Sequence, residues 1–397
     1  MTTGSYEYYK QIFKDVPKPF AFVDLDLLDA NIKAIAKEAG GKKVRVASKS
    51  IRCPEVLRRI MAGDDVYQGI MCYTAAEAAF LARQGFDDLL LGYPQWHAEA
   101  LQDVISLIRE GKTITIMVDC IEHVEHIGRL ARAEQVIVPL CIDIDMSTDY
   151  PGLHFGVWRS PLTRWEQVRP VAERIVGEHW LRLAGIMGYE AQIAGVGDQV
   201  PGQVLKNALI RRLKKSSIGK AAKWRAEVTR GIEAMGVQLR FVNAGGTGSM
   251  DSSREEACVT EITAGSGFYA PGLFDNYKSF RYQPAAGYAV EVVRRPQPNI
   301  VTCMGGGYTA SGPTGIDKRP KPYLPEGLEL FPLEGAGEVQ TPLRIRGDVQ
   351  LELGDPVFFR HAKAGELCER FLMLYAVSQG NIVSTYPTYR GMGACFL

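Results

Sequence analysis

Three stretches hold the residue types from which a catalytic site can be assembled. The first is Val44-Arg45-Val46-Ala47-Ser48-Lys49. On a strand, alternate residues share a face, so Val44, Val46 and Ser48 lie on one side and Arg45, Ala47 and Lys49 on the other. With the valines packed under helices, Arg45 and Lys49 point inward, and Lys49 stands at the carboxyl end of the strand. Desolvation there lowers the pKa of an amine and frees it for Schiff-base chemistry with a carbonyl cofactor or substrate. The competing reading is a strand-end lysine that reaches solvent. The second stretch is Asn243-Ala244-Gly245-Gly246-Thr247-Gly248-Ser249, directly after an apolar run. Its glycines let backbone N–H groups approach an anion, and Thr247 and Ser249 add hydroxyl donors. It fits neither a nucleotide P-loop nor G-x-G-x-x-G, so a small phosphate suits it better than a nucleotide. The third is Ala264-Gly265-Ser266-Gly267.

These stretches need a scaffold that brings them together. From about residue 18 to 270, short β-branched runs alternate with amphipathic stretches, the pattern of repeated strand-helix units. Eight runs are legible: 44–48, 67–71, 89–92, 113–118, 136–145, 181–188, 239–243 and 260–263. Eight strands fit a closed (β/α)₈ barrel better than an open doubly wound sheet, and barrels bind phosphate at the loops after strands seven and eight. Both of those loops are the glycine-rich ones. Between the runs, 74–84 reads as a helix with Ala75, Ala78, Ala79 and Ala82 on one face and Gly85 as its stop. From Pro271 onward Pro and Gly become dense, and alternation at Tyr288, Val290 and Val292 and at Leu351 and Leu353 indicates a second, mostly β domain over 271–397, with 1–17 able to join it. The Gly305–Pro325 stretch reads as a long loop without regular structure.

The chain has 397 residues, ample for two domains with a large core. Its 46 Lys and Arg against 45 Asp and Glu leave a net charge of +1, which argues against nucleic acid or an anionic membrane as partner. No apolar run spans a bilayer, and the first residues lack a signal-like core, so a cytoplasmic protein is expected. Eight cysteines are scattered singly, without C-x-x-C pairs or clustering with histidine. His97, His123, His126 and His179 have no partners at useful spacing.

In its order of motifs the chain resembles the fold-type III pyridoxal-phosphate enzymes, the alanine-racemase-like barrels, and among them the D-threonine aldolase and D-serine dehydratase branch. The residues that carry this are KPFAFVDLDLLDANI, VRVASKS, CYTAAEAAFLARQGFDDLLLGYP, GIMGYE, the two glycine loops and His361-Ala362-Lys363. The resemblance implies that Lys49 holds pyridoxal phosphate, that Gly246, Thr247, Gly265 and Ser266 bind its phosphate, and that Tyr189 and Arg45 lie near it. It also implies a homodimer and a small amino-acid substrate.

The chain departs from the family's patterns at four places. The pattern R-P-H-A-K becomes Arg45-Val46-Ala47-Ser48-Lys49. His154 stands two residues before Gly156-Val157, where the family tends to have an arginine. Thr263 stands where racemases of this fold carry an arginine toward the pyridine nitrogen. A histidine and, two residues on, an aspartate or cysteine hold a divalent cation in the branch; here the pair is His361 and Lys363. A protonated lysine has no lone pair to offer a metal, so no divalent metal is expected. The ammonium of Lys363 is expected to stand in for the cation while His361 acts as general acid or base, both side chains leaving a strand on one face. Asp143 and Asp145, two apart at the end of strand five, could face the barrel mouth as a carboxylate pair, but structural contacts to Arg or Lys are the preferred reading. Tyr386, Tyr389 and Arg390 are read either as a carboxylate site or as core packing. The function expected is retro-aldol cleavage of a β-hydroxy-α-amino acid of D configuration, with dehydration as the near alternative. Racemisation, a non-catalytic cofactor carrier and a sugar-phosphate barrel are weaker alternatives.

Overall fold

The structure, a computed structural model, describes residues 4–308, 311 and 315–397. Phe20–Asp24 (β1) opens the chain's first strand. Lys43–Ala47 (β2), Tyr67–Cys72 (β3), Leu89–Leu91 (β4), Ile114–Val118 (β5) and Val138–Asp143 (β6) then follow at helix-spaced intervals. Thr148–Tyr150 (β7) and Leu153–Phe155 (β8) make a small hairpin, after which come Leu181–Gly188 (β9), Phe241–Ala244 (β10) and Glu261–Ala264 (β11). The strands β2 to β6 and β9 to β11 close into a parallel barrel, and they are the eight runs read from the sequence.

Strands covered on both faces read as continuous apolar runs, and every residue of β5, β6 and β11 is buried. Leu90, Met117, Cys141, Met187 and Phe241 fill the barrel axis. Around it the helices present small faces. Helix Ala75–Arg83 starts where the Thr74 hydroxyl accepts from Glu77 N–H, buries Ala75, Ala78, Ala79 and Ala82, and is followed by Gly85 at φ +91°.

The chain continues with Ala286–Gln297 (β12), Ile300–Met304 (β13), Lys321–Leu324 (β14), Leu328–Leu330 (β15), Gln340–Ile345 (β16), Pro356–Arg360 (β17), Met373–Ser378 (β18) and Asn381–Pro387 (β19). These form a second sheet, and β1 belongs to it: β1 pairs antiparallel with β12 and parallel with β18. The barrel unit therefore does not begin at residue 18. Helix Tyr6–Ile12 joins the same side, its Tyr8 and Tyr9 packing with Phe13, Phe20, Phe22 and Phe358. Tyr9 also donates to Asp24 across 2.8 Å. Two local expectations differ from the structure. Leu351 and Leu353 lie outside any strand because Gly354 turns the chain at φ +90°. The 305–325 stretch contains β14, whose pairing with β17 is a long-range contact that local composition does not encode; residues 309–310 and 312–314 of it lie outside the described residues. No described helix is long and apolar enough to cross a membrane.

Candidate active site at the barrel mouth

A cavity of about 490 Å³ opens where the carboxyl ends of the barrel strands meet the second domain. Lys49, His154, Tyr189, Gly246, Thr247, Thr263, Gly265, Ser266 and Lys363 all line it. Arg45 and His361 do not.

The lysine arrives by a different route from the one its spacing implied. Strand β2 ends at Ala47, and Ser48–Ser50 forms a 3₁₀ turn that releases Lys49 from strand alternation. Ser48 Oγ donates to Met71 O across 2.9 Å and fixes that turn. Lys49 remains solvent-exposed at the cavity rather than desolvated. Its Nζ lies 3.2 Å from the Tyr93 hydroxyl.

Arg45 does point inward, but toward the barrel floor. It is fully buried and donates to both carboxylate oxygens of Glu261 at 2.7 and 2.9 Å, and to Asp88. Asn243 donates to Glu261 and to Thr263 Oγ1, which carries the network up to the cavity. A buried cation so paired is costly to orphan: losing one partner costs about 3–5 kcal/mol.

The two glycine loops are tied to each other. Thr247 Oγ1 accepts from Gly265 N–H at 3.4 Å and from Gly267 N–H at 3.2 Å. Ser266 Oγ lies 3.2 Å from Ser50 Oγ. A Cβ at Gly265 would come 2.8 Å from Ser50 Oγ and 2.9 Å from Ala47 Cβ, so a side chain there forces a shift, and one at Gly246 would come 3.0 Å from Tyr189 Cε2, a tight fit. Ser249 turns away from the cavity, donating to Glu190 Oε1 at 2.7 Å. Glu190 also accepts from Gly245 N–H and from the buried Arg225, so this ion pair holds the loop from behind. The N–H groups of Thr247 and Ser266 have no acceptor among the described residues. Unclaimed donors beside closely packed glycines suit a phosphate, and a lysine amine faces the same space. The residues therefore fit pyridoxal phosphate.

Arg159 and Tyr93 also line the cavity, and sequence reasoning missed both. Arg159 donates to Asp143 across 2.6 Å and to Gly92 O, and sits 4.8 Å from the Tyr93 ring centroid. Asp143 is thus a structural contact to a basic group. Burial raises the Tyr93 hydroxyl, but Lys49 and Arg159 outweigh it and hold its pKa below the ordinary value. Burial pushes Tyr189 up to about 12, so it is a neutral wall.

His154 leaves the β7–β8 hairpin with Nδ1 2.7 Å from Asp149 Oδ1, its ring stacked on Trp158 at 3.9 Å. Its Nε2 has no partner among the described residues. His361 is buried, and neither ring nitrogen has a described hydrogen-bond partner. Burial first, then Arg360, lowers its pKa to about 3. Strand β17 ends at Arg360, so His361 and Lys363 do not leave a strand on one face; Lys363 alone reaches the cavity. Burial, then Lys318 and Lys49, lowers the Lys363 ammonium pKa. Tyr389 is buried with its hydroxyl on Glu77, and Arg390 pairs with Glu369, so the C-terminal cluster is packing rather than a carboxylate site.

The fold recurs in known proteins. A 3-hydroxy-D-aspartate aldolase from Paracoccus denitrificans is 23% identical over 256 residues, 64% of this chain, and the matched part spans 60% of that relative's length. A D-threonine aldolase from Filomicrobium marinum superimposes with a TM-score of 0.81 at 18% identity, covering 96% of this chain and 97% of that one. A D-threo-3-hydroxyaspartate dehydratase from Delftia sp. gives 0.72 at 18% identity, with 94% and 98% covered. At these identities the solved structures establish the fold. Residues 23–269 match the alanine racemase N-terminal domain, and with its closed barrel and glycine-lined mouth the chain belongs to that family.

Proposed function

We propose that this chain is a pyridoxal-phosphate-dependent lyase that cleaves a β-hydroxy-α-amino acid of D configuration by a retro-aldol route, giving a smaller amino acid and an aldehyde. The observation that carries the reading is the Lys49 amine facing two tied glycine loops across one cavity. The relatives support the substrate class, since each is named for a β-hydroxy amino acid and two of the three are named aldolases.

When bound, pyridoxal phosphate supplies an electron sink for the pair left at Cα as the Cα–Cβ bond breaks. Lys49 holds that group, while Gly246, Thr247, Gly265 and Ser266 take its phosphate. Tyr189 and Thr263 complete the wall, with the Thr263 hydroxyl already engaged by Asn243. Lys49, Arg159 and Lys363 make the mouth cationic, which favours anionic ligands. Lys363 lines the cavity, so its ammonium is placed to orient the β-hydroxyl without a divalent metal. We assign removal of the β-hydroxyl proton to His154: Asp149 takes Nδ1–H, which leaves the Nε2 lone pair as the base. His361 lies outside the lining and Arg45 under the floor, so neither is given a proton transfer. The reading also makes the protein a cytoplasmic homodimer, which its eight unpaired cysteines suit.

Dehydration is the second reading, favoured by the name of the Delftia relative. There Lys49 takes the α-proton and Lys363 assists departure of the hydroxyl. A proton NMR time course in D₂O with cofactor, excess chelator and D-threonine, D-phenylserine or D-serine separates them. Glycine plus aldehyde supports the aldolase, keto acid the dehydratase, and turnover that needs an added divalent cation removes the role given to Lys363.

A further inference from the structure

Outside the cavity lining, three potential metal ligands converge where β5 passes into helix Ile121–Glu134. The sequence reading left Cys120 and His123 unclustered, yet a helix start brings spacings of one and four together. One ligand atom each from Asp119, Cys120 and His123 lies within 4.8 Å of the other two. Nδ1 of His123 is 2.9 Å from Oδ1 of Asp119. That contact lacks hydrogen-bond geometry, and this buried nitrogen has no other partner among the described residues. Cys120 stands half-buried at the N-cap without a capping hydrogen bond, its sulfur within reach of the other two ligand atoms. Trp96 covers the imidazole edge-on, with ring centroids 5.9 Å apart. The three ligand atoms are therefore close enough together to face one common centre.

We propose that Asp119, Cys120 and His123 form a binding site for a thiophilic divalent cation of the zinc class. Thiolate and imidazole select such an ion over magnesium or calcium, which prefer all-oxygen shells. A carboxylate, a thiolate and an imidazole supply three ligands and leave a fourth position to water. Binding releases the Cys120 thiol proton to solvent, so affinity rises with pH. The site does not depend on the lyase reading and is not part of turnover.

The full chain, reduced and stripped of metal, is titrated with Zn²⁺ by calorimetry, and retained zinc is counted after gel filtration. The expected result is one equivalent in the wild type. Affinity should fall by at least about tenfold in Cys120→Ser and in His123→Gln, the loss that follows even when a group merely supporting a ligand is removed. Cys395→Ser, which alters an exposed thiol elsewhere, should bind as the wild type does. Zinc should also raise the thermal midpoint of the wild type and leave that of both variants unmoved, which confirms that the variants fold. Absence of stoichiometric zinc in the wild type overturns the proposal. So does zinc binding that survives both substitutions, or that is lost in His361→Asn instead, which would place the ion near the cavity.

Discussion

The Lys49 ammonium donates to the Tyr93 hydroxyl across 3.2 Å, and Arg159 lies over the same tyrosine ring. Two cations thus share one phenol, although each comes from a different barrel loop. Such an arrangement keeps the lysine aimed into the cavity while it is free, and it holds the hydroxyl pKa below its usual range despite burial. Tyr93→Phe removes a hydrogen bond to a charged group, so activity should fall about tenfold. The alkaline limb of the pH–rate profile should move at the same time. Lys49→Ala should cost about three orders of magnitude and abolish the visible absorbance of the cofactor-loaded protein. An absorbance band that persists in Lys49→Ala would show that another amine holds the cofactor.

His154 and His361 can be separated by the same assay. His154 lines the cavity with an anchored Nδ1 and a buried Nε2 that has no partner among the described residues, which leaves that nitrogen's lone pair for a general base. His154→Gln should lower kcat by about a hundredfold with KM little changed. His361→Gln should leave the chemical step within about tenfold of the wild type, because its ring lies outside the lining. The reverse ranking would return the proton transfer to His361.

Thr247 joins the two glycine loops through its hydroxyl oxygen, which accepts from Gly265 and Gly267. Thr247→Val keeps the shape and removes the acceptor, leaving two N–H groups unpaired. Cofactor affinity should weaken about tenfold, equivalent to roughly one lost hydrogen bond of about 1.4 kcal/mol, with the circular dichroism spectrum unchanged. Unaltered affinity would remove Thr247 from the phosphate site.

These tests draw on residues of unequal legibility. The eight barrel strands were readable because each is a short apolar run bounded by a helix pattern, and so was the pairing of glycine loops after the last two strands. Strand β1 was not, since FAFVD looks like any buried strand and its partners β12 and β18 lie more than 250 residues away. Lys49 was found for its position, yet the 3₁₀ turn that aims it breaks the alternation used to place it. Arg159 and Tyr93 stand in loops whose only local signal is charge or aromaticity, and their convergence is created by barrel closure. Arg45 was correctly turned inward, but strand alternation cannot say at which height of the barrel a side chain ends.

Glu77 offers a test that reads stability rather than turnover. It is fully buried one helical turn from the Thr74 cap, accepting from Tyr73 N–H at 2.8 Å and from the Tyr389 hydroxyl at 2.9 Å. It therefore ties the C-terminal segment and Tyr73 of the cavity wall to helix Ala75–Arg83. Burial outweighs these hydrogen bonds and raises its pKa to about 7. An unfolded glutamate loses its proton near pH 4.3, so between that value and about 7 the folded chain binds the extra proton. Stability from this group is then complete below about pH 4 and is lost as pH rises through 7. In Glu77→Gln the amide oxygen can still accept from Tyr73 while the amide nitrogen donates to Tyr389, and no charge is buried. Urea unfolding across pH 5 to 8.5 should show the wild type losing stability relative to Glu77→Gln as pH rises. A difference between the two that stays constant over this range would mean that Glu77 is ionised in the folded protein throughout.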